Sequence, residues 1–129
     1  MRFSSLLLAS AFVLVATAAS ADDPMAATYA NTITAKDSKT GAVAVFLFNA
    51  DGSYTEKATG ADGKDVAIAG KWVTKDNGAT LCLSPQVPAN TPNAPGESCS
   101  PLAIHAIGEH WPVTNSMGAS FDVVMTAGR

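Results

Sequence analysis

The stretch at residues 65–85, DVAIAGKWVTKDNGATLCLSP, constrains the fold more than any other part of the chain. Successive side chains of a strand point to opposite faces, so a strand reads as a period of two. Val66, Ile68, Gly70, Trp72 and Thr74 share one phase of that period. Asp76-Asn77-Gly78 is a turn signal, and beyond it Leu81 and Leu83 resume an apolar face while Cys82 points the other way. The pattern predicts a β-hairpin. It predicts an architecture and no activity.

The same design recurs with smaller residues. Within 28–36, Tyr29, Asn31, Ile33 and Ala35 share a phase, and Thr28, Thr32 and Thr34 suit a strand. Residues 22–27 read as a loose arm, because Pro24 and the paired aspartates oppose regular structure. Residues 42–49 are apolar on both phases, Val43, Val45 and Leu47 alternating with Ala44, Phe46 and Phe48. Such a strand is buried on both sides, or has one face in the core and one on a partner. Gly52, Gly63, Gly78 and Gly118 each follow a local Asn, Asp or Ser, the composition of tight turns. Turn duty accounts for Asp51, Asp62 and Asp76.

Residues 86–97 break the rhythm with Pro88, Pro92 and Pro95, which exclude a central strand. Further strands are expected at 98–104 and 110–115, where Pro101 and Pro112 demote each to an edge or bulged strand. Residues 119–126 close the sheet, with Phe121, Val123 and Met125 inward and Asp122 outward. The expected fold is all-β: one antiparallel meander of about eight strands forming a small barrel. The alternative is a two-sheet β-sandwich. Candidate core residues are Phe46, Leu47, Phe48, Ile68, Trp72, Leu81, Leu83, Leu102, Trp111, Phe121, Val123 and Met125.

The N-terminus has the form of an export signal. Met1-Arg2 is a positive start, residues 6–16 are apolar, and Ala19-Ser20-Ala21 fits a small-x-small cleavage site. Residues 1–21 are therefore expected to be a signal peptide cleaved after Ala21, leaving one domain at 22–129 in the periplasm or outside the cell. The apolar run is too short to span a bilayer comfortably, and beyond it no run approaches spanning length. The formal charge is −3, and loss of Arg2 makes it one unit more negative. Lys36, Lys39, Lys57, Lys64, Lys71, Lys75 and Arg129 are scattered, which argues against a nucleic-acid groove.

Cys82 and Cys99 are the only cysteines. A lone pair in a small exported domain is expected to form a disulfide, worth about 3 kcal/mol in the chain-entropy model. Free structural thiols or a metal site are the alternatives, and the close spacing typical of zinc is missing. If the barrel is closed, Cys82 faces outward and the bond straps the Pro-rich loop to the outside wall.

His105, Glu109 and His110 are the most suggestive cluster of chemical groups. Imidazole and carboxylate together can bind zinc or copper, but this spacing in a loop is no known ligand motif, and an exposed polar loop is the expectation. No nucleophile elbow is present, and no serine is tied to a histidine by a motif. The expectation is no catalytic residue, no cofactor and no metal. Trp72 and Trp111 could line a pocket, but an inward Trp next to a small residue such as Gly70 is expected in the core.

Phe48-Asn49-Ala50-Asp51-Gly52-Ser53-Tyr54, Gly70-Lys71-Trp72, Leu81-Cys82-Leu83 and Cys99 resemble a family of small secreted bacterial proteins of unknown function. In that family an F-N-x-D-G-x-Y segment precedes G-x-W, L-C and a second cysteine. The resemblance spans roughly residues 42–99. It implies export and a lipocalin-like or calycin-like β-domain, and it implies no activity. Asp51-Gly52-Ser53-Tyr54 also resembles a loop by which some small exported barrels block lysozymes. The expected role is a binding module or inhibitor, with a small apolar ligand or another protein as partner. The alternative is a structural or envelope-stress protein without a discrete site. A ligand module should contain an apolar cavity with a few convergent polar groups; a structural protein should be filled, and an enzyme should have a cleft with adjacent titratable groups.

Overall fold

The computed structural model describes residues 23–59, 63–92, 94 and 96–129. The expected signal peptide, its cleavage site and the turn residue Asp62 lie outside the described residues. The described chain forms eight strands: β1 (Asn31–Asp37), β2 (Val43–Phe48), β3 (Ser53–Thr59), β4 (Asp65–Lys75), β5 (Thr80–Gln86), β6 (Ser98–Pro101), β7 (His110–Thr114) and β8 (Ser120–Ala127). All lie in one antiparallel sheet of order β6-β5-β4-β3-β2-β1-β8-β7, so the sheet is an up-and-down barrel and not a sandwich. Neighbours in sequence pair throughout, except across β6 and β7. There the barrel is closed by single contacts: Ser116 N donates to Cys99 O at 2.7 Å, and Cys99 N donates to Ser116 Oγ at 3.0 Å.

The organising hairpin is β4–β5, with Trp72 opposite Leu83 and Thr74 opposite Leu81. Asp76, Asn77 and Gly78 turn the chain with φ of 56°, 56° and 87° in succession. Asn, Asp and Gly are the residues that tolerate this left-handed region. The shared phase of β4 does not serve the core along its whole length: Gly70 is buried and Trp72 half-buried, but Val66 is exposed. The reason is the ladder. β5 pairs with β4 only over Ala69–Lys75, leaving Asp65–Ile68 paired on one side alone.

The core holds Met25, Ile33, Ala35, Phe48, Tyr54, Val123 and Met125, with Phe46, Trp72, Leu81, Leu83, Leu102, Trp111 and Phe121 packed against it. Of the expected core residues, Leu47 and Ile68 are not part of this cluster. Leu47 is half-buried on the outward phase of β2, and Ile68 sits where β5 no longer covers β4. Met25 corrects the reading of residues 22–27 as a loose arm. Its side chain is fully buried, its N–H donates to Asp23 Oδ1 at 2.9 Å, and a short 3₁₀ turn over Ala26–Thr28 follows it. Pro24 and Asp23 do prevent a strand, but the apolar Met side chain still requires cover.

β6 ends at Pro101 rather than at residue 104, and Leu102 N donates instead to Ala79 O at 2.8 Å. Pro112 is accommodated because β7 is an edge strand with a free side. Cys82 and Cys99 are joined, and they are direct cross-strand partners with a Cα–Cα distance of 4.0 Å. Cys82 has the phase opposite to Leu81 and Leu83, as expected for an outward position. It is nevertheless fully buried, covered by its bond and flanked by Val73 of β4 and Cys99 of β6. Such a bond belongs to an oxidising compartment. Among the described residues no helix is long and apolar enough to cross a membrane.

Tyr54 and Gly70 face each other across β3 and β4. A Cβ on Gly70 would lie 2.5 Å from Tyr54 Cζ, so the aromatic ring occupies the space that any other residue would need. Gly70→Ala is therefore expected to cost about 1–3 kcal/mol, the usual range for overpacking. Tyr54→Leu in the same chain should recover part of that loss, because the clash disappears with the ring. Urea unfolding of the four proteins of this cycle checks the coupling; additive losses would contradict it.

Candidate functional site: an apolar cavity inside the barrel

The inward residues of successive strands differ widely in size. β2 contributes Ala44, Phe46 and Phe48, β1 contributes Ile33 and Ala35, and β6 contributes the small Ser98 and Ser100 together with its last residue, Pro101. An eight-stranded barrel is just filled by side chains or holds one small ligand. Here the short side chains on β1, β2 and β6 leave space, and the interior contains a cavity of about 280 Å³. It is lined mainly by apolar groups, among them Ile33, Phe46, Leu83, Trp111, Val123 and Met125. That volume lies near the lower end of the range of small-molecule pockets, about 300–1,000 Å³.

Three rings form one wall. Phe46 stacks on Phe48 with centroids 5.9 Å apart, and Tyr54 lies 5.9 Å from Phe48 and 6.1 Å from Phe46. The Tyr54 hydroxyl is buried and has no hydrogen-bond partner among the described residues. Burial first, and the Glu56 charge second, push its pKa up to about 12.

Among the described residues, Glu56 is the one carboxylate that lines the cavity, and no Lys or Arg lines it. Its inward direction follows from register: two residues after Tyr54 on β3, it lies between Phe46 of β2 and Ile68 of β4. Burial holds its carboxyl above the ordinary glutamate range.

Residues on both sides of the seam between β6 and β7, among them Ser98, Ser100, Trp111 and Val113, line the cavity. The segment connecting these strands, residues 102–109, supplies Leu102, Ala103, Ile104 and His105 to its wall. At the mouth Ile104 is 63% exposed and Met117 67% exposed, although both line the cavity. Two large apolar side chains facing both water and an apolar interior mark an entrance.

The two histidines go to separate partners. His105 stacks on Trp111 with centroids 3.9 Å apart, and its Nδ1 contacts Glu109. His110 points to the outside of β7, where its Nδ1 is 2.9 Å from Asp122 Oδ2. The structure thus spends Glu109 and His105 on holding the connecting segment and does not bring His110 to them. Cys82, Glu97 and Cys99 do bring potential ligand atoms within 4.8 Å of one another. The sulfurs are bonded to each other, however, and Glu97 pairs with Lys75 at 3.0 Å.

Trp72 and Trp111 divide the two roles considered for them. Trp72 packs against the core, stacks with Tyr29 and donates its indole N–H to Asn49 O at 3.0 Å. Trp111 lines the cavity. Asp51-Gly52-Ser53-Tyr54 is occupied with the fold: Asp51 Oδ1 accepts from Ser53 N at 2.9 Å and from Ser53 Oγ at 2.6 Å, and Tyr54 is inside the barrel. These bonds, the Ser53 hydroxyl first, hold the Asp51 carboxyl below its ordinary pKa.

Compared with protein-family models, curated proteins and solved structures, the chain matches none of them.

The folded chain keeps the Glu56 proton to a higher pH than the unfolded chain does. Glu56 therefore reduces stability as pH rises from the ordinary glutamate value through the raised folded one, and in full above that. Glu56→Gln is expected to be more stable than the parent at about pH 7 and closest to it at about pH 4, where both forms of the parent carry the proton. Urea midpoints at the two pH values check this. A difference independent of pH would contradict it.

Proposed function

We propose that the protein is an exported, non-catalytic binding module that takes a small, largely apolar molecule into its barrel. The observation that carries this reading is the apolar cavity of about 280 Å³, bordered at its mouth by exposed Ile104 and Met117. A protein with a purely structural role gains stability by filling such a space, because each unfilled volume forfeits dispersion contacts. The eight-stranded up-and-down architecture is one in which lipocalins hold a ligand in the same place, a likeness of architecture alone. Export is supported by the leader pattern of residues 1–21 together with the Cys82–Cys99 bond, and the periplasm or the exterior is the proposed location.

Trp111 gives a direct signal, since it lines the cavity. Titration with octanol is expected to change its fluorescence saturably. Ala44→Leu, which extends a side chain into the cavity, should weaken the apparent affinity at least about tenfold, about 1.4 kcal/mol. Circular dichroism verifies that the variant keeps its β-rich signature. Unchanged affinity in the folded variant, or no saturable response in the parent, would overturn the reading.

A further inference from the structure

We propose that the cavity selects apolar amines, with Glu56 as the counter-ion of the ligand's ammonium group. This rests on the binding reading above and specifies the ligand's chemistry. Three observations carry it. Among the described residues, Glu56 is the one carboxylate on the cavity wall, and no Lys or Arg lines the cavity to pair with it. Its neighbours across the sheet, Phe46 on β2 and Ile68 on β4, offer neither charge nor hydrogen bonds. The three-ring wall of Phe46, Phe48 and Tyr54 is on the same side of the cavity, and aromatic faces attract cations.

The energetic argument concerns what each ligand does to the carboxylate. A partly buried carboxylate without a partner is costly, and displacing water from the cavity makes it costlier. A neutral ligand leaves that cost in place. A carboxylic acid ligand adds a second like charge. An alkylammonium ion removes the cost, because it brings opposite charge and N–H donors to the carboxylate in a largely apolar surrounding. The chain's overall charge of −3 also favours the approach of a cation.

The direction of pH dependence follows. Among the described residues, the titratable groups on Glu56's side are Tyr54 of its own strand and His105, which lines the cavity from the connecting segment, while β2 and β4 place the uncharged Phe46 and Ile68 beside it. His105 is already engaged with Glu109 and Trp111. The Glu56 carboxyl, which burial holds above the ordinary glutamate range, pairs with an ammonium ion only once it has lost its proton. Amine affinity should then rise with pH through the Glu56 titration, while the amine itself stays protonated to about pH 10, like lysine. A ligand held by the protonated carboxyl would show the opposite trend.

The test compares three probes of one chain length, octylamine, octanol and octanoate, by Trp111 fluorescence and calorimetry at about pH 7. Octylamine is expected to bind at least about tenfold more tightly than octanol, with octanoate weakest. That ratio should fall towards one in Glu56→Gln, and in the parent on acidification to about pH 4. Octanol binding without a preference for octylamine overturns the amine proposal and leaves the binding module standing. Saturable binding of none of the three overturns both. If Glu56→Gln does not fold, the pH series in the parent decides alone: an amine-to-alcohol ratio that stays constant or rises on acidification removes Glu56 from the role.

Discussion

Curling an eight-stranded sheet into a barrel leaves two edges to be joined, and here no ladder joins them. The junction falls on Cys99. Its side chain is bonded to Cys82 of β5, and its backbone exchanges hydrogen bonds with Ser116 just beyond β7. One residue thus ties the four-residue edge strand β6 both to its sheet neighbour and to the opposite edge. A strand that short contributes few ladder bonds and needs such help. An open edge elsewhere would be a template for unwanted pairing. At this position the weakly joined edges border the cavity mouth. The disulfide therefore does more than restrict the unfolded chain: it keeps the wall of the cavity in place while the seam remains unladdered.

The interior follows from side-chain size on the inward phase of each strand. Tyr54 and Gly70 are the best-fitted pair, a large ring over a residue with no side chain. Met25 closes part of the core from the N-terminal arm, and Pro24 reaches the β4–β5 turn, 3.6 Å from where a Cβ of Gly78 would stand. Beside these large side chains, the small Ala35, Ala44, Ser98 and Ser100 leave volume to the cavity. Glu56 then lies at the boundary between two demands. Its strand direction sends it inward, and its charge resists that place.

The period of two made most of the fold legible. The phases of residues 119–126 and of Leu81 and Leu83 are the inward phases of β8 and β5, and the turn residues lie where Gly accepts positive φ. How far a neighbouring strand extends is not encoded in a period, so the one-sided pairing of Asp65–Ile68, and with it the exposure of Val66, is not readable from it. Met25 was hidden because a single apolar residue in a short arm has no periodicity. Glu56 does carry a signal in the sequence: it shares the phase of Tyr54 in SYTEKAT. A charged residue in mid-strand reads as solvent-facing, and only the curvature of the barrel shows that its phase is the inner one. The histidines were the reverse case. Five residues apart, they are sent to different faces, His105 to the cavity wall and His110 to the outer face.

The central claim is that the barrel is hollow and accessible. Three methionines, Met25, Met117 and Met125, line the cavity, the first and last buried and the middle one at the mouth. Nuclear magnetic resonance of methyl-labelled methionines during an octanol titration reads all three positions at once. The account predicts that the buried Met25 and Met125 methyls shift together with Met117 along one saturating curve. Movement of Met117 alone, or of no methyl, would contradict it.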